Sequence, residues 1–270
     1  MERTVLVTLF GMGCMGEAMV RGLLQHKGQM NITGVARRQN RLEELTARYP
    51  AAVFVQAASE EVRKSDVLVL CVKPQQLHEA ATLLKGQVRE NSLIISILAG
   101  TCIQVLQASL GHSHVVRAMP NTPGQIRRGY TGWCHSDSVS AEQFALTQTI
   151  LGSLGVECRY THEPLLDTVT AISGSGPGTF AYLIQAYIEA GVKNGMTRAN
   201  AREAVLRTVL GTAEYLLDTQ EHPALLQDRV TSPGGTTSAI VYQLDKAGVR
   251  AAVVTSIDAG ITRCRELNQS

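Results

Sequence analysis

Short runs of aliphatic and β-branched residues alternate with helix-period segments through the first half of the chain. The alternation stops past the midpoint. Val5 to Phe10 predicts a strand and Met15 to His26 a helix. Ile32 to Ala36 predicts a second strand, followed by a helix over Arg41 to Tyr49, and Val53 to Val55 a short third strand. Asp66 to Val72 is apolar nearly throughout, as a central parallel strand covered on both faces requires. Leu93 to Ile97 and Val115 to Met119 predict two more strands, and Tyr130 to Cys134 an additional one near the edge. Such alternation implies a doubly wound, mostly parallel α/β sheet. From about His162 onward no strand is predicted. Gly176 to Asn194 is apolar nearly all round, with Gln185, Glu189 and Lys193 as one narrow polar stripe, the pattern of a helix buried on most sides. Arg198 to Asp218, Thr237 to Ala247 and Arg250 to Leu267 also predict helices. The change of pattern divides the chain into an α/β domain, 1–161, and an all-helical domain, 162–270, whose apolar helices call for a second subunit.

The first predicted strand ends in Gly11-Met12-Gly13-Cys14-Met15-Gly16, a G-x-G-x-x-G that opens a helix within a strand–helix–strand unit. That context marks a Rossmann dinucleotide-binding domain. Gly11 permits the tight turn, Gly13 lets the backbone approach a pyrophosphate, and Gly16 lets the helix lie close to the sheet. The helix start adds unpaired N–H groups and positive partial charge. An acid usually ends the second strand of an NAD-binding unit, to take the ribose 2′-OH. Here Arg37-Arg38 stands there, two guanidinium groups able to fork onto a 2′-phosphate, so NADPH is expected, with NADH possible. Val72-Lys73-Pro74, Ala99-Gly100 and Asn121 end later strands on the side where open α/β sheets bind ligands, and are further cofactor candidates.

Composition narrows the class. Lys and Arg total 25 against 23 Asp and Glu, a near balance that argues against a nucleic-acid partner. The six cysteines form no C-x-x-C pair and the seven histidines no ligand spacing, so neither a disulfide framework nor a metal is expected. No apolar run reaches the length of a membrane span, and Met1 to Thr4 leads into the first strand without signal-peptide order. A cytoplasmic protein without a membrane partner is expected.

Two segments carry the second half. Ser173-Gly174-Ser175-Gly176-Pro177 precedes the long apolar helix, with Ser175 as the expected N-cap. Asp228 to Thr237 contains Ser232-Pro233-Gly234-Gly235-Thr236-Thr237, two glycines and a set of hydroxyls just before a helix. These converge N–H and O–H donors suited to a small carboxylate; the plainer reading is a loop with a Thr cap.

With these residues in view, the chain resembles the pyrroline-5-carboxylate reductase family over essentially its whole length. The match includes the glycine loop, Val72-Lys73-Pro74, Met119-Pro120-Asn121-Thr122-Pro123, Ser173 to Pro177, and above all Ser-Pro-Gly-Gly-Thr-Thr at 232–237. The resemblance implies NADPH-dependent reduction of 1-pyrroline-5-carboxylate to L-proline, the last step of proline biosynthesis. It also implies a helical C-terminal dimerisation domain and a homodimer or higher homo-oligomer. Ser232, Gly234, Gly235, Thr236 and Thr237 would cradle the substrate carboxylate, with Thr237 reaching the ring nitrogen as the catalytic residue. Ala58, with Ser59 beside it, stands where the family often has an Asn at the adenosine ribose, and Gly178-Thr179-Phe180 where Ala-Tyr is common. Two alternatives remain: another NADP-dependent imine or hydroxyacid reductase, for which Lys193 is the candidate lysine, and a non-catalytic NADP-sensing regulator.

Overall fold

The structure is a computed structural model that describes residues 4–26, 30–56 and 60–269. Packing divides the chain into two units, Met1–Gly176 with Gly260–Ser270, and Pro177–Ala259. The change of sequence pattern at 161/162 thus falls shortly before the end of the first segment of the sheet unit.

The first unit is built on β1 (Val5–Phe10), β2 (Met30–Val35), β3 (Val53–Val55), β4 (Val67–Leu70), β5 (Leu93–Ser96), β6 (Val115–Met119), β7 (Gly129–His135) and β8 (Gly155–Arg159). They form one sheet in the order β3-β2-β1-β4-β5-β6-β7-β8. All pairings are parallel except β6 with β7. The predicted strands are present within a residue or two. The exception is β8, which the sequence did not suggest. Its five residues alternate weakly, it lies at the sheet edge, and its Val156 is 64% exposed, so no apolar run marks it.

Six helices cross between strands: α1 (Cys14–Leu23), α2 (Gln39–Arg48), α3 (Glu60–Lys64), α4 (Leu77–Leu84), α5 (Ile103–Leu110) and α6 (Ala141–Gly152). Side chains alternate across a strand, and the core follows that period. Val67, Val69, Leu93 and Ile95 face one way, onto Met19, Val20 and Leu23 of α1 and Ile150 and Leu151 of α6. Leu68, Leu70 and Ile94 face the other, onto Ala80, Ala81 and Leu84 of α4 and Leu106 and Leu110 of α5. Both faces of the central strands are therefore sealed, and the accessible ground lies at the strand ends.

After β8 comes α7 (Leu165–Val169), then a single π-turn over Thr170–Gly174, and then α8 (Gly176–Lys193). The expected N-cap at Ser175 is corrected here. An N-cap needs non-helical backbone, whereas Ser175 has φ −84° and ψ −18°, and its N–H bonds the Thr170 carbonyl at 2.8 Å. The chain enters α8 already coiled. The glycines have a different use: a Cβ at Gly174 would overlap the Met119 side chain at the end of β6.

The remaining helices are α9 (Arg198–Thr219), α10 (Pro223–Arg229), α11 (Thr236–Lys246) and α12 (Val249–Gln269), the last ending in the sheet unit. In the helical unit Gly191 lets α8 meet α9, since a Cβ there would lie 3.0 Å from the Ala201 Cβ. Few other side chains are covered. Phe180, Tyr182, Tyr187, Ile240, Tyr242 and Val254 are all exposed in the single chain. The apolar surround of α8 read from the sequence is present, but within one chain most of it is bare. No helix among the described residues is long and apolar enough to cross a membrane.

One buried charge cluster ties β6 to the segments behind it. Arg117, 4% exposed, donates to Asp167 at 2.7 Å and to Glu163 at 3.2 Å. Glu163 also accepts the Ile103 N–H at 2.7 Å in the first turn of α5, and the Cys264 thiol of α12 lies 3.4 Å from Asp167. Burial works against the guanidinium charge, and the hydrogen bonds to Asp167 and Glu163 more than offset it. Truncating one member of a buried pair strands the other charge. Arg117→Ala is expected to lower unfolding stability by roughly 3–5 kcal/mol, measured by urea denaturation.

Candidate active site

Because β1, β4 and β5 are parallel and in register, Phe10, Leu70 and Ser96 end together on one edge of the sheet. The strand order reverses between β1 and β4, the place where open α/β sheets leave a crevice. A cleft of about 780 Å³ opens there. Its walls bring together Gly11, Met12, Gly13, Arg37, Arg38, Val72 and Lys73, seven of the cofactor candidates.

The three glycines differ in kind. Gly11 has φ +106°, and a Cβ on it would lie 2.9 Å from both the carbonyl carbon and the oxygen of Cys71. Its N–H bonds the Val35 carbonyl at 3.1 Å, which joins the turn to the end of β2. A Cβ on Gly16 would overlap the Gly11 carbonyl oxygen, so only glycine lets α1 rise this close to the loop. Gly13 has ordinary backbone angles and nothing within 4 Å of a notional Cβ. It is the residue whose missing side chain leaves bare backbone in the cleft wall, as a pyrophosphate cradle needs. As N-cap of α1 it makes no side-chain cap, and the first N–H to return to its carbonyl is that of Glu17 at 3.0 Å. The N–H groups of the first turn remain available to an anion.

The basic rim divides three ways. Arg38 caps α2 with extended backbone and keeps its guanidinium unpaired among the described residues. Arg37 forks onto Glu79 of α4, Nη1 lying 2.9 and 3.0 Å from the two carboxylate oxygens. Arg41, one turn into α2, was not among the sequence candidates, yet it lines the cleft. It donates to the Met12 carbonyl at 3.3 Å, to Glu44 at 2.8 Å and to Glu17. Glu17 collects Arg41, Arg48 and Tyr49; burial works to raise its pKa, and these three hydrogen bonds outweigh burial and hold it below the usual carboxylate range. Arg41 thus fixes the glycine loop from behind. The sequence holds no signal for this beyond its basic character, because the pairing is made by folding. Gln56, Gln76, Glu79, Leu83 and Gln87 also line the cleft and were likewise unmarked.

Other candidates lie beside the cleft. Cys14 is exposed in the first turn of α1, and Met15 packs toward Gly124 and Leu154. Pro74 opens a short 3₁₀ turn after Lys73. Ala99 and Gly100, the latter at φ +63°, follow β5, where a Gly100 Cβ would lie 2.9 Å from the Leu267 Cβ. Asn121 has both ends engaged: its amide donates to Ser173 at 3.1 Å and its oxygen accepts the Tyr130 N–H at 3.0 Å. Ala58 and Ser59 lie outside the described residues. Burial pushes the Cys71 thiol at the cleft floor up to about 12, so it stays protonated.

The donor-rich segment lies in the helical unit. Ser232, Pro233, Gly234 and Gly235 form a turn closed by the Gly235 N–H on the Ser232 carbonyl at 3.0 Å. Gly234, at φ +71°, follows the proline, as a type II turn demands. A Cβ on Gly235 would overlap the Ser232 hydroxyl. Gly235 is the N-cap of α11, so Thr236 and Thr237 are the first and second helical residues and neither is the cap. Among the described residues the hydroxyls of Thr236, Thr237 and Ser238 make no hydrogen bond. Lys193 is exposed at the last turn of α8.

The chain is similar to known proteins over nearly its whole length. Residues 163–267 match the family described as pyrroline-5-carboxylate reductase dimerisation, and residues 6–100 match NADP oxidoreductase coenzyme F420-dependent. A pyrroline-5-carboxylate reductase of Arabidopsis thaliana is 34% identical over 98% of this chain and 96% of its own. One from Synechocystis sp. is 41% identical over 78% of each. The pyrroline carboxylate reductase of Plasmodium falciparum, solved with NADP bound, superposes with a TM-score of 0.87 at 26% identity over 99% of both chains.

The glycines separate strain from access. Gly11→Ala combines a left-handed backbone with a collision against backbone atoms and is expected to cost about 2–4 kcal/mol of stability. Gly13→Ala should leave stability within about 0.5 kcal/mol of the parent. Thermal melts of the two variants without nucleotide test the contrast.

Proposed function

The chain belongs to the pyrroline-5-carboxylate reductase family and reduces 1-pyrroline-5-carboxylate to L-proline with NADPH; we propose that the β1/β4 cleft and the Ser232–Thr237 segment divide the work. In this reading Gly11 to Gly16 take the pyrophosphate, Arg37 and Arg38 the 2′-phosphate, and Val72 to Pro74, Ala99, Gly100 and Asn121 border the nicotinamide end. The residues fit the group: the cleft wall at Gly13 lacks a side chain, the first turn of α1 has open N–H groups, and Arg38 is unpaired among the described residues. When bound, the dinucleotide supplies the hydride.

The substrate half of the proposal is carried by one observation. The type II turn at 232–235 delivers the chain into α11 with Gly235 as cap, leaving the hydroxyls of Thr236, Thr237 and Ser238 without partners among the described residues. Backbone N–H groups and these hydroxyls can hold a carboxylate at the positive end of the helix. Thr237, one residue deeper than Thr236 and only partly exposed, would hydrogen-bond the ring nitrogen and orient it. The main contribution is then positioning of a reactive C=N bond for hydride transfer.

The uncovered aromatic and aliphatic side chains of the helical unit support a homodimer formed through that unit, with any larger assembly built from dimers. In this reading the enzyme works in the cytoplasm, with the substrate as its small-molecule partner.

Two experiments test this. Thr237→Ala is expected to lower kcat/KM by about ten- to a thousandfold, as for the loss of one or two oriented hydrogen bonds in the transition state. Since Gly235 is the cap, its melting temperature should stay close to the parent's; reduced stability with unchanged kcat/KM would refute the substrate role. Tyr182→Asp places a charge on a side chain that is 77% exposed in one chain. It should leave the fold intact by circular dichroism while converting a sedimenting dimer to monomer. A fully active wild-type monomer would rule out the interface.

A further inference from the structure

We propose that Glu79 is a specificity-determining residue: by holding Arg37 it weakens the hold on the 2′-phosphate of NADPH, and its carboxylate offers an acceptor to the unphosphorylated ribose of NADH. The inference rests on the assignment of Arg37 and Arg38 to the 2′-phosphate.

Three observations carry it. First, Arg37 follows β2 and Glu79 comes from α4, 42 residues later, yet they meet across the cleft and both line it. An NAD-binding unit places an acid at the end of the second strand. Here that place holds arginine, and the acid reaches it from the facing wall. Second, Glu79 is the one carboxylate among the described lining residues, against the cations of Arg37, Arg38, Arg41 and Lys73. Arg41 is committed to Glu17, Glu44 and the Met12 carbonyl, so the charge balance at the rim is set by Arg37, Arg38, Lys73 and Glu79, and of these cations only Arg37 is in contact with the carboxylate among the described residues. Third, the Arg37–Glu79 side chains are 68% and 55% exposed, and a pair that open to water contributes little to stability. It can exchange partners. The Arg37 main chain stays in place, because Gln56 donates to its carbonyl at 3.0 Å.

A phosphate that binds Arg37 must share the guanidinium with the Glu79 carboxylate or displace it, and it then sits next to a like charge. A ribose hydroxyl has no such conflict, since it donates to a carboxylate. The same residue therefore opposes one cofactor and favours the other. The plainer possibility is a surface pair that merely ties β2 to α4.

Fluorescence titration with NADPH and with NADH, on the nucleotide-free full-length protein, separates the two. The variants are Glu79→Gln, Glu79→Ala, Arg37→Ala, Arg37→Ala with Arg38→Ala, and Arg37→Ala with Glu79→Gln. Glu79→Gln is expected to tighten NADPH by about three- to tenfold, the scale of one partly screened charge. Glu79→Ala should in addition weaken NADH. The gain for NADPH should vanish in the Arg37→Ala background, because it acts through that guanidinium. Selective loss of NADPH in the arginine variants, with no change in the NADPH/NADH ratio in Glu79→Gln, overturns the role of Glu79 and leaves the phosphate assignment standing. Equal losses for both cofactors in the double arginine variant overturn both. A lower melting temperature for Glu79→Gln with both affinities unchanged reduces the pair to a structural tie and also overturns the proposal.

Discussion

Where β1 and β4 end, two stretches of backbone approach so closely that a single Cβ would not fit between them. Gly11 lies against the carbonyl of Cys71, and the α1 backbone at Gly16 lies against the carbonyl of Gly11. Much else follows from this contact. It forces the chain to turn at φ +106° and start α1 at once, so the helix begins directly at the sheet edge. It aims the open N–H groups of the first turn at the crevice made by the reversal of strand order. It also leaves Gly13, alone of the three, with free space where a side chain would be. Two of the glycines are required by the protein's own backbone, and the third answers to the pyrophosphate proposed to lie against it.

The arginines around that turn show how one residue type serves opposite ends. Arg41 is 17% exposed and bonds two carboxylates and a main-chain carbonyl; it is part of the scaffold. Arg37 is 68% exposed and holds one carboxylate. An exposed pair contributes at most about 1 kcal/mol, so Arg37 can leave Glu79 without disturbing the fold, while Arg41 cannot leave Glu17 so cheaply. The acid at position 17, in the first turn of α1, also takes Arg48 and Tyr49, and thus locks the glycine loop to α2. Rigid support and an exchangeable ion pair sit four residues apart on the same segment.

Features set by local sequence were legible, and features set by tertiary pairing were not. The central strands announce themselves because both faces are buried, and the glycine loop because Gly11 and Gly16 obey a steric rule that no other residue satisfies. Arg37 and Arg38 follow from chain order alone. Arg41 and Glu79 do not: their importance comes from Glu17 in one case and from Arg37 in the other, and neither spacing is periodic. The edge strand β8 lacks an apolar run because only one side of it is paired. The segment before α8 misled for a subtler reason. Serine before glycine and proline is the composition of a helix start, but a π-turn carries the coil straight through, and Gly174 serves the approach of Met119.

The proposed substrate clamp is also informative in its charge. From Val230 to Ser238 no residue is ionisable; the segment offers hydroxyls and main-chain N–H groups only. A cyclic imine accepts hydride far better once its nitrogen is protonated, and in 1-pyrroline-5-carboxylate the carboxylate is borne on the ring carbon beside that nitrogen. An arginine or lysine on the carboxylate would bring a positive charge close to that nitrogen and lower its proton affinity, since like charges disfavour each other's charged form. Neutral donors at a helix start hold the anion without that penalty, because the partial charge there is about half a unit and spread over several N–H groups. A clamp of this kind would leave the nitrogen free to carry its proton, and binding and activation of the C=N bond would not work against each other.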